Sequence, residues 1–244
     1  MNEFWSRRVA ISLLAVFGAG LLLTPILSSA ADARTPAKVG IIGTGRIGST
    51  FARLWVQAGH PVMLSSRHPE QLKSLAESLG PLATVGTPKE AAKYGDVVFM
   101  SVPFAALADV QSEVGQELRG KVVLDPTNAF PPGSDLQKST AAAGGTGVVN
   151  ARTLAGAKLV RAFNYMLFSN FAESAHRSGE LVGVPIAGDD PAAIAVAEQL
   201  VRDAGFEPVL VGPLASAKRF DTGGELPREA RTAAEIRALL GLTR

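Results

Sequence analysis

The sequence predicts an α/β fold: a doubly wound, mostly parallel sheet with a short α/β extension at its C-terminal end. Three observations carry that expectation. Short apolar runs alternate with segments of helical spacing along the chain. The runs are apolar at successive positions rather than at every second one, as strands covered on both faces must be. The first run also leads straight into Gly43-Thr44-Gly45-Arg46-Ile47-Gly48, a G-x-G-x-x-G turn that opens a helix. With 244 residues, 47% of them hydrophobic and 19% charged, the chain is globular and long enough for one substantial α/β domain.

The turn is the chemically informative stretch. Lys38 to Ile42 reads as a buried strand and Ser49 to Gly59 as the helix that follows. Gly43 permits the tight turn, and Gly45 lets a pyrophosphate approach the backbone with no side chain between them. Gly48 lets the helix pack closely on the strand. The unpaired N–H groups at the helix start then receive the diphosphate at the positive end of the macrodipole. Gly43, Thr44, Gly45, Arg46, Ile47 and Gly48 are therefore candidate cofactor contacts in an NAD(P)-binding Rossmann fold. The second strand, His60 to Ser65, selects the dinucleotide. NAD-binding chains carry an acidic residue about twenty positions on, for the ribose 2′-hydroxyl. Here Ser65-Ser66-Arg67-His68 precedes any carboxylate, the first being Glu70. Ser66 and Arg67 can donate to a 2′-phosphate that a carboxylate would repel, so NADP is expected rather than NAD.

The remaining elements follow in order. Pro69 to Leu79 has helical spacing, and Ala83 to Val85 is a short strand. Thr87, Pro88 and Glu90 read as N-cap, first helical residue and capping box. Asp96 to Pro103 is the fourth strand, Phe104 to Leu118 a helix, and Lys121 to Asp125 the fifth strand. Phe130 to Thr146, rich in Pro, Gly, Ser and Ala, reads as a loop with at most a short helix. Leu159 to Asn164 and Val182 to Gly188 are the sixth and seventh strands. A helix over Asp190 to Ala204, a strand over Glu207 to Gly212 and, past Gly223 and Gly224, a helix over Thr232 to Leu240 complete the chain. Ligands of such sheets gather at the carboxyl ends of the strands. Ser101, Val102 and Pro103 are thus further cofactor contacts, and Pro103, Phe104, Asn128 and Asn164 are candidates for lining a nicotinamide. A Phe in such a place is as often part of the core.

Residues 1–33 read as an address rather than as fold. A short basic region is followed by an apolar run from Val9 to Leu23 and by small residues at Ser28 to Ala31, the layout of a secretory signal. An uncleaved anchor is the alternative, and would be the chain's one tie to a membrane. Ser6-Arg7-Arg8-Val9 resembles the start of a twin-arginine signal, although Ala10 and Ile11 replace the usual Phe-Leu pair; a Sec signal with two basic residues remains open. The expected location is the periplasm. The expected division is 1–33 signal or anchor, 37–128 NADP-binding core, and 129–244 a half that completes the same domain and carries the acceptor site and a homodimer contact.

Composition removes other classes. Formal net charge is +2, and no basic tract interleaves with aromatics, so nucleic-acid binding has no electrostatic footprint. The chain has no cysteine, which excludes disulfides, thiolate nucleophiles and cysteine-type zinc sites, and its three histidines lack ligand spacing.

Val39 to Gly48, Ser66-Arg67, Ser101-Val102-Pro103, Ala162-Phe163-Asn164, Gly188-Asp189-Asp190 and Gly212-Pro213-Leu214 occur in that order. Together they resemble the NADPH-dependent oxidoreductases that reduce the deazaflavin coenzyme F420. They are also similar to the cytosolic reductase domain of the six-transmembrane epithelial metalloreductases. The resemblance covers Lys38 to about Leu214. It implies that Thr44, Ser66 and Arg67 hold the NADP phosphates; a family lysine stands here as Gln71, and His68 can substitute for it. The tail from Ala215 departs from the family. The implied activity is hydride transfer between NADP(H) and a flavin-like acceptor, FMN, FAD or a coenzyme F420-like deazaflavin, with metal reduction as a further outlet. Hydride transfer between planar heterocycles requires stacking and alignment rather than a side-chain acid, and none is evident. Two alternatives stay open: a non-catalytic NADP-binding redox-sensing or partner module, and an imine reductase of the pyrroline-5-carboxylate type. The region after Val211 is too short for the long helical dimerisation domain of the latter.

Overall fold

The computed structural model describes residues 35–243; the signal segment expected at 1–33 lies outside the described residues. The sheet has eight strands: β1 (Val39–Ile42), β2 (Val62–Ser65), β3 (Ala83–Gly86), β4 (Val97–Met100), β5 (Val122–Asp125), β6 (Lys158–Arg161), β7 (Gly183–Gly188) and β8 (Glu207–Gly212). Their spatial order is β3-β2-β1-β4-β5-β6-β7-β8. The order reverses between β1 and β4, and the carboxyl ends of those strands form the crevice where such sheets bind ligands.

Strand composition explains the two-sided core. Along β4, Val97 and Phe99 pack into one apolar cluster while Val98 and Met100 pack into another. Each cluster has its own helices. The first takes Phe51 and Trp55 from α1 (Arg46–Gln57) and Ala193, Ala197 and Leu200 from α8 (Pro191–Asp203). The second takes Ala92 from α3 (Pro88–Tyr94), Leu107, Val114 and Leu118 from α4 (Leu107–Leu118), and Leu154, which ends α6 (Thr146–Thr153). Aromatic rings dominate the first cluster. Phe51 lies 4.2 Å from Phe163 and 5.3 Å from both Trp55 and Phe99, centroid to centroid. The Trp55 indole N–H donates to the Leu200 carbonyl at 2.9 Å, so the one polar atom of the ring is satisfied while the ring is buried.

Local signals held where local chemistry decides. Thr87 caps α3 as a full capping box: its hydroxyl accepts from the Glu90 N–H, and the Glu90 carboxylate accepts from the Thr87 N–H at 2.8 Å. Those bonds hold the Glu90 carboxyl below the usual carboxylate range. Thr232 and Glu235 repeat the device at α9 (Ala233–Leu239). The expected helix from Pro69 begins as a 3-10 turn, Pro69–Leu72, before α2 (Lys73–Leu79), and Phe104–Ala106 is a 3-10 turn before α4.

Three features are non-local. α5 (Asp135–Ala142) is the short helix allowed for in the loop, but α6 and α7 (Phe168–Ser174) were not expected. The sheet is mostly parallel, as expected, but β7 runs antiparallel to β6. The cause is the connection. A parallel return needs a helix laid back along the sheet, whereas α7 packs against α1 near the carboxyl end of β6. The chain re-enters the sheet from the end it left, and β8 pairs parallel to β7.

Candidate nucleotide-binding site

The glycine loop is built by contacts too close for a side chain. Gly43 has φ +92°, and a Cβ there would lie 2.4 Å from the Ser101 carbonyl oxygen. A Cβ on Gly48 would lie 2.3 Å from the Gly43 oxygen and 3.2 Å from Ile41 Cγ2. The first glycine thus admits the end of β4, and the third admits α1 to the strand. Gly45 is different: a Cβ there would meet nothing within 4 Å. Its space is open on the side where α1 begins. No side chain caps that helix, whose first intrahelical bond runs from the Ser49 N–H to the Gly45 carbonyl. An uncapped helix start beside open space at Gly45 is the geometry that receives a diphosphate.

Thr44 ties this loop to β2. Its hydroxyl donates to the Ser65 carbonyl at 3.0 Å and accepts from the Ser65 N–H at 3.1 Å. The resemblance implied a phosphate contact for Thr44. Its proton is already committed, so its part is to hold the loop against the end of β2. That end presents Ser66 and Arg67, the latter exposed. The Ser66 oxygen accepts from the His68 N–H at 3.0 Å, which leaves its own proton free to donate. His68 fits the role of a lysine substitute poorly: its Nδ1 lies 3.6 Å from the Glu70 carboxylate, which repels a phosphate. Arg46, the first residue of α1, lays its guanidinium 5.3 Å from the Phe168 ring centroid. Ile47 packs against the larger core cluster.

At the nicotinamide end, Ser101 and Val102 lie against Gly43, and Pro103 is exposed. Phe104 packs against the core on the α4 side. Asn128 is half-buried at the end of β5, and its amide donates to the Asn164 carbonyl at 2.8 Å. Asn164 itself does not line the site. It is 1% exposed because Phe163, a non-glycine residue at φ 61°, turns the chain sharply after β6. That turn sends the Phe163 ring into the aromatic cluster and the Asn164 amide to the Asp221 carboxylate at 3.1 Å.

Sequence reasoning missed the residue that organises this end. Arg161 is fully buried in β6 and bridges two carboxylates, Asp125 at 3.0 Å and Asp221 at 2.7 Å. It also donates to the Asp125 carbonyl at 3.0 Å and reaches Asn128 Oδ1 at 3.5 Å. Burial disfavours its charge, but Asp125 and Asp221 together reverse that and raise its pKa above the usual arginine value. Asn150 on α6 donates to Asp125 and to the Thr127 hydroxyl, both at 2.7 Å, and the Thr146 N–H donates to Asp221. A charged residue inside an otherwise apolar strand was the signal available, since a buried charge requires partners. The partners, 36 and 60 positions away, were not legible.

Two outcomes follow from this geometry. Gly45→Val retains the fold, by circular dichroism and melting temperature, and loses NADPH affinity in a fluorescence titration, whereas Gly48→Val destabilises the fold itself. A stable Gly48→Val protein would contradict the contact argument. Arg161→Met leaves two buried carboxylates with no cation and costs about 3–5 kcal/mol in urea denaturation, the scale for breaking a buried ion pair; a loss under about 1 kcal/mol is the range of an exposed pair and counts against the network.

Comparison with known proteins agrees with these features. The family model described as NADP oxidoreductase, coenzyme F420-dependent, matches residues 38–129. Metalloreductase STEAP3 of Rattus norvegicus is 30% identical over 188 residues, covering 75% of this chain and 36% of that protein. The chain thus spans about a third of that relative's length. Among solved structures, a hypothetical protein from Sinorhizobium meliloti is 27% identical with a TM-score of 0.70, over 80% of this chain and 95% of the other. A candidate F420-dependent NADP reductase from Arthrobacter sp. FB24 shares the fold, at 23% identity and a TM-score of 0.62, over 74% and 87%. Over residues 38–129 the chain is thus similar to the coenzyme F420-dependent family of NADP oxidoreductases.

Proposed function

We propose that the protein transfers hydride between NADP(H) and a flavin or deazaflavin acceptor. The observation that carries this reading is the uncapped start of α1, open at Gly45 and placed by Thr44 beside Ser66 and Arg67, where no carboxylate guards the 2′ position. In this reading the α1 N–H groups hold the diphosphate. Ser66 and Arg67 donate to the 2′-phosphate, and the ends of β4 and β5 orient the nicotinamide. NADPH, when bound, supplies the hydride with its electron pair, and the acceptor takes its proton from solvent. The protein's task is alignment and exclusion of water. Reduction of metal ions would be a separate, one-electron step, in which a reduced flavin acceptor passes its two electrons singly to two ferric ions; the metalloreductase relative supports that outlet.

Two measurements test the reading. NADPH binds at least about tenfold more tightly than NADH, about 1.4 kcal/mol, and Ser66→Asp with Arg67→Ala removes or inverts the preference. Equal affinities in the unaltered protein would refute the assignment. NADPH oxidation followed with FMN, FAD, riboflavin, coenzyme F420 and ferric chelates then identifies the acceptor. Tight NADPH binding with no turnover on any of them points to a non-catalytic NADP-binding module instead.

We further infer export in a folded, nucleotide-loaded form, supported by Ser6-Arg7-Arg8 in the sequence. A parallel sheet with non-local pairing folds slowly, and bound nucleotide stabilises it by mass action. Arg7→Lys with Arg8→Lys keeps the charge of the segment and causes the precursor to accumulate in the cytoplasm. Undiminished export of that variant would mean the arginines act as generic positive charge.

A further inference from the structure

Beyond the end of β5 lies a cleft of about 290 Å³. It is bounded by α5, by the first residues of α6 and by the turn from Lys218 to Glu225, and it begins at Ala129, one residue past Asn128. A dinucleotide stretched from the end of β2 across the glycine loop brings its nicotinamide to the ends of β4 and β5. The cleft thus begins one residue past Asn128, beside the place that the proposed function gives the nicotinamide. Its floor is rigid: Asp221 is fixed by Arg161, Asn164 and the Thr146 N–H.

Two features stand out here, one beside the lining and one in it. Phe130 follows Ala129 and is 48% exposed, the only large aromatic side chain that ranks among the exposed hydrophobics of the described residues. It is nevertheless held in place. The Arg228 guanidinium lies 5.1 Å from its ring centroid and donates to the Thr222 hydroxyl at 2.9 Å, and Thr222 lines the cleft. An exposed ring backed on one side and open on the other is a stacking platform. The second feature is charge. Arg219 is engaged with Glu225 through two bonds of 2.8 Å, while Lys218, also in the wall, is exposed and forms no ion pair between described residues.

We propose that this cleft seats the acceptor: a planar heterocycle stacked on Phe130, its anionic tail taken by Lys218. The proposal rests on the hydride-transfer reading above and narrows its acceptor. Ligand cavities generally start at about 300 Å³, and this one stands at that lower limit. It suits a mononucleotide flavin such as FMN rather than a dinucleotide flavin, and a phosphorylated flavin over riboflavin.

The test uses the full-length protein and the fluorescence of FMN and riboflavin, titrated without NADPH, with NADPH affinity measured separately on each variant. FMN binds about three- to fivefold more tightly than riboflavin, the scale of one exposed ion pair, and Lys218→Gln abolishes the difference. Phe130→Ala weakens FMN by about tenfold, as loss of one stacking partner does. Ala141→Trp fills the cleft from the exposed side of α5 and blocks FMN, and all three variants keep the NADPH affinity of the unaltered protein. FMN affinity unmoved by Phe130→Ala and Ala141→Trp overturns the proposal, as does a protein that binds NADPH but is not saturated by FMN. Since the flavin titrations need no nucleotide, a failure of NADPH to bind overturns the proposed function and leaves the cleft to be judged on its own result.

Discussion

One buried guanidinium ties the tail of this molecule to the carboxyl ends of its strands. Arg161 occupies a strand that the rest of the sheet requires to be apolar, and desolvating a charge there is tolerated only because two carboxylates and a carbonyl meet its terminal nitrogens, Nε alone going without a partner. Its partners come from the end of β5, from the loop after it and from the turn at Asp221, which belongs to the tail where the family resemblance fades. The tail is thereby held against the carboxyl ends of the strands. Without that tie, neither Asn128 nor the wall of the cleft would have a fixed place relative to the glycine loop.

The nucleotide end depends on a different constraint, close approach of backbone to backbone. The turn after β1 has the end of β4 on one side and α1 on the other, and at Gly43 and Gly48 the separations leave no room for a Cβ. Thr44 adds a tie to β2. The loop is thus determined by three neighbours, while its one open side faces the uncapped helix start. Proteins usually satisfy such N–H groups with a side chain. Leaving them bare beside an open glycine makes sense as provision for an anion.

Between these two regions sits the aromatic cluster, and Phe163 links them. Its left-handed backbone is uncommon for a bulky residue and costs energy unless the surroundings compel it. Here they do so twice over, through the ring packed against Phe51 and through Asn164 held by Asp221. The same residue therefore closes the core and sets the geometry after β6, and it leads into the connection that reverses the direction of β7.

What the sequence determined by itself was whatever is encoded within a few residues. Apolar runs and helical spacing marked all eight strands. The spacing of three glycines marked the turn, Thr87 and Glu90 marked a helix start, and the absence of a carboxylate at Ser65 to His68 marked NADP as the expected nucleotide. These are local effects of sterics, capping and charge. Tertiary structure alone decided the rest. The direction of β7 depends on where α7 finds a surface to pack on, and α6, whose residues Gly147, Val148 and Val149 are mediocre helix formers, owes its form to the sheet and tail it lies against. Asn164 read as a strand-end ligand and became a buried bond. Arg161 read as an oddity in an apolar run and became the hub, because partners 36 and 60 residues away meet it only once the strands are paired.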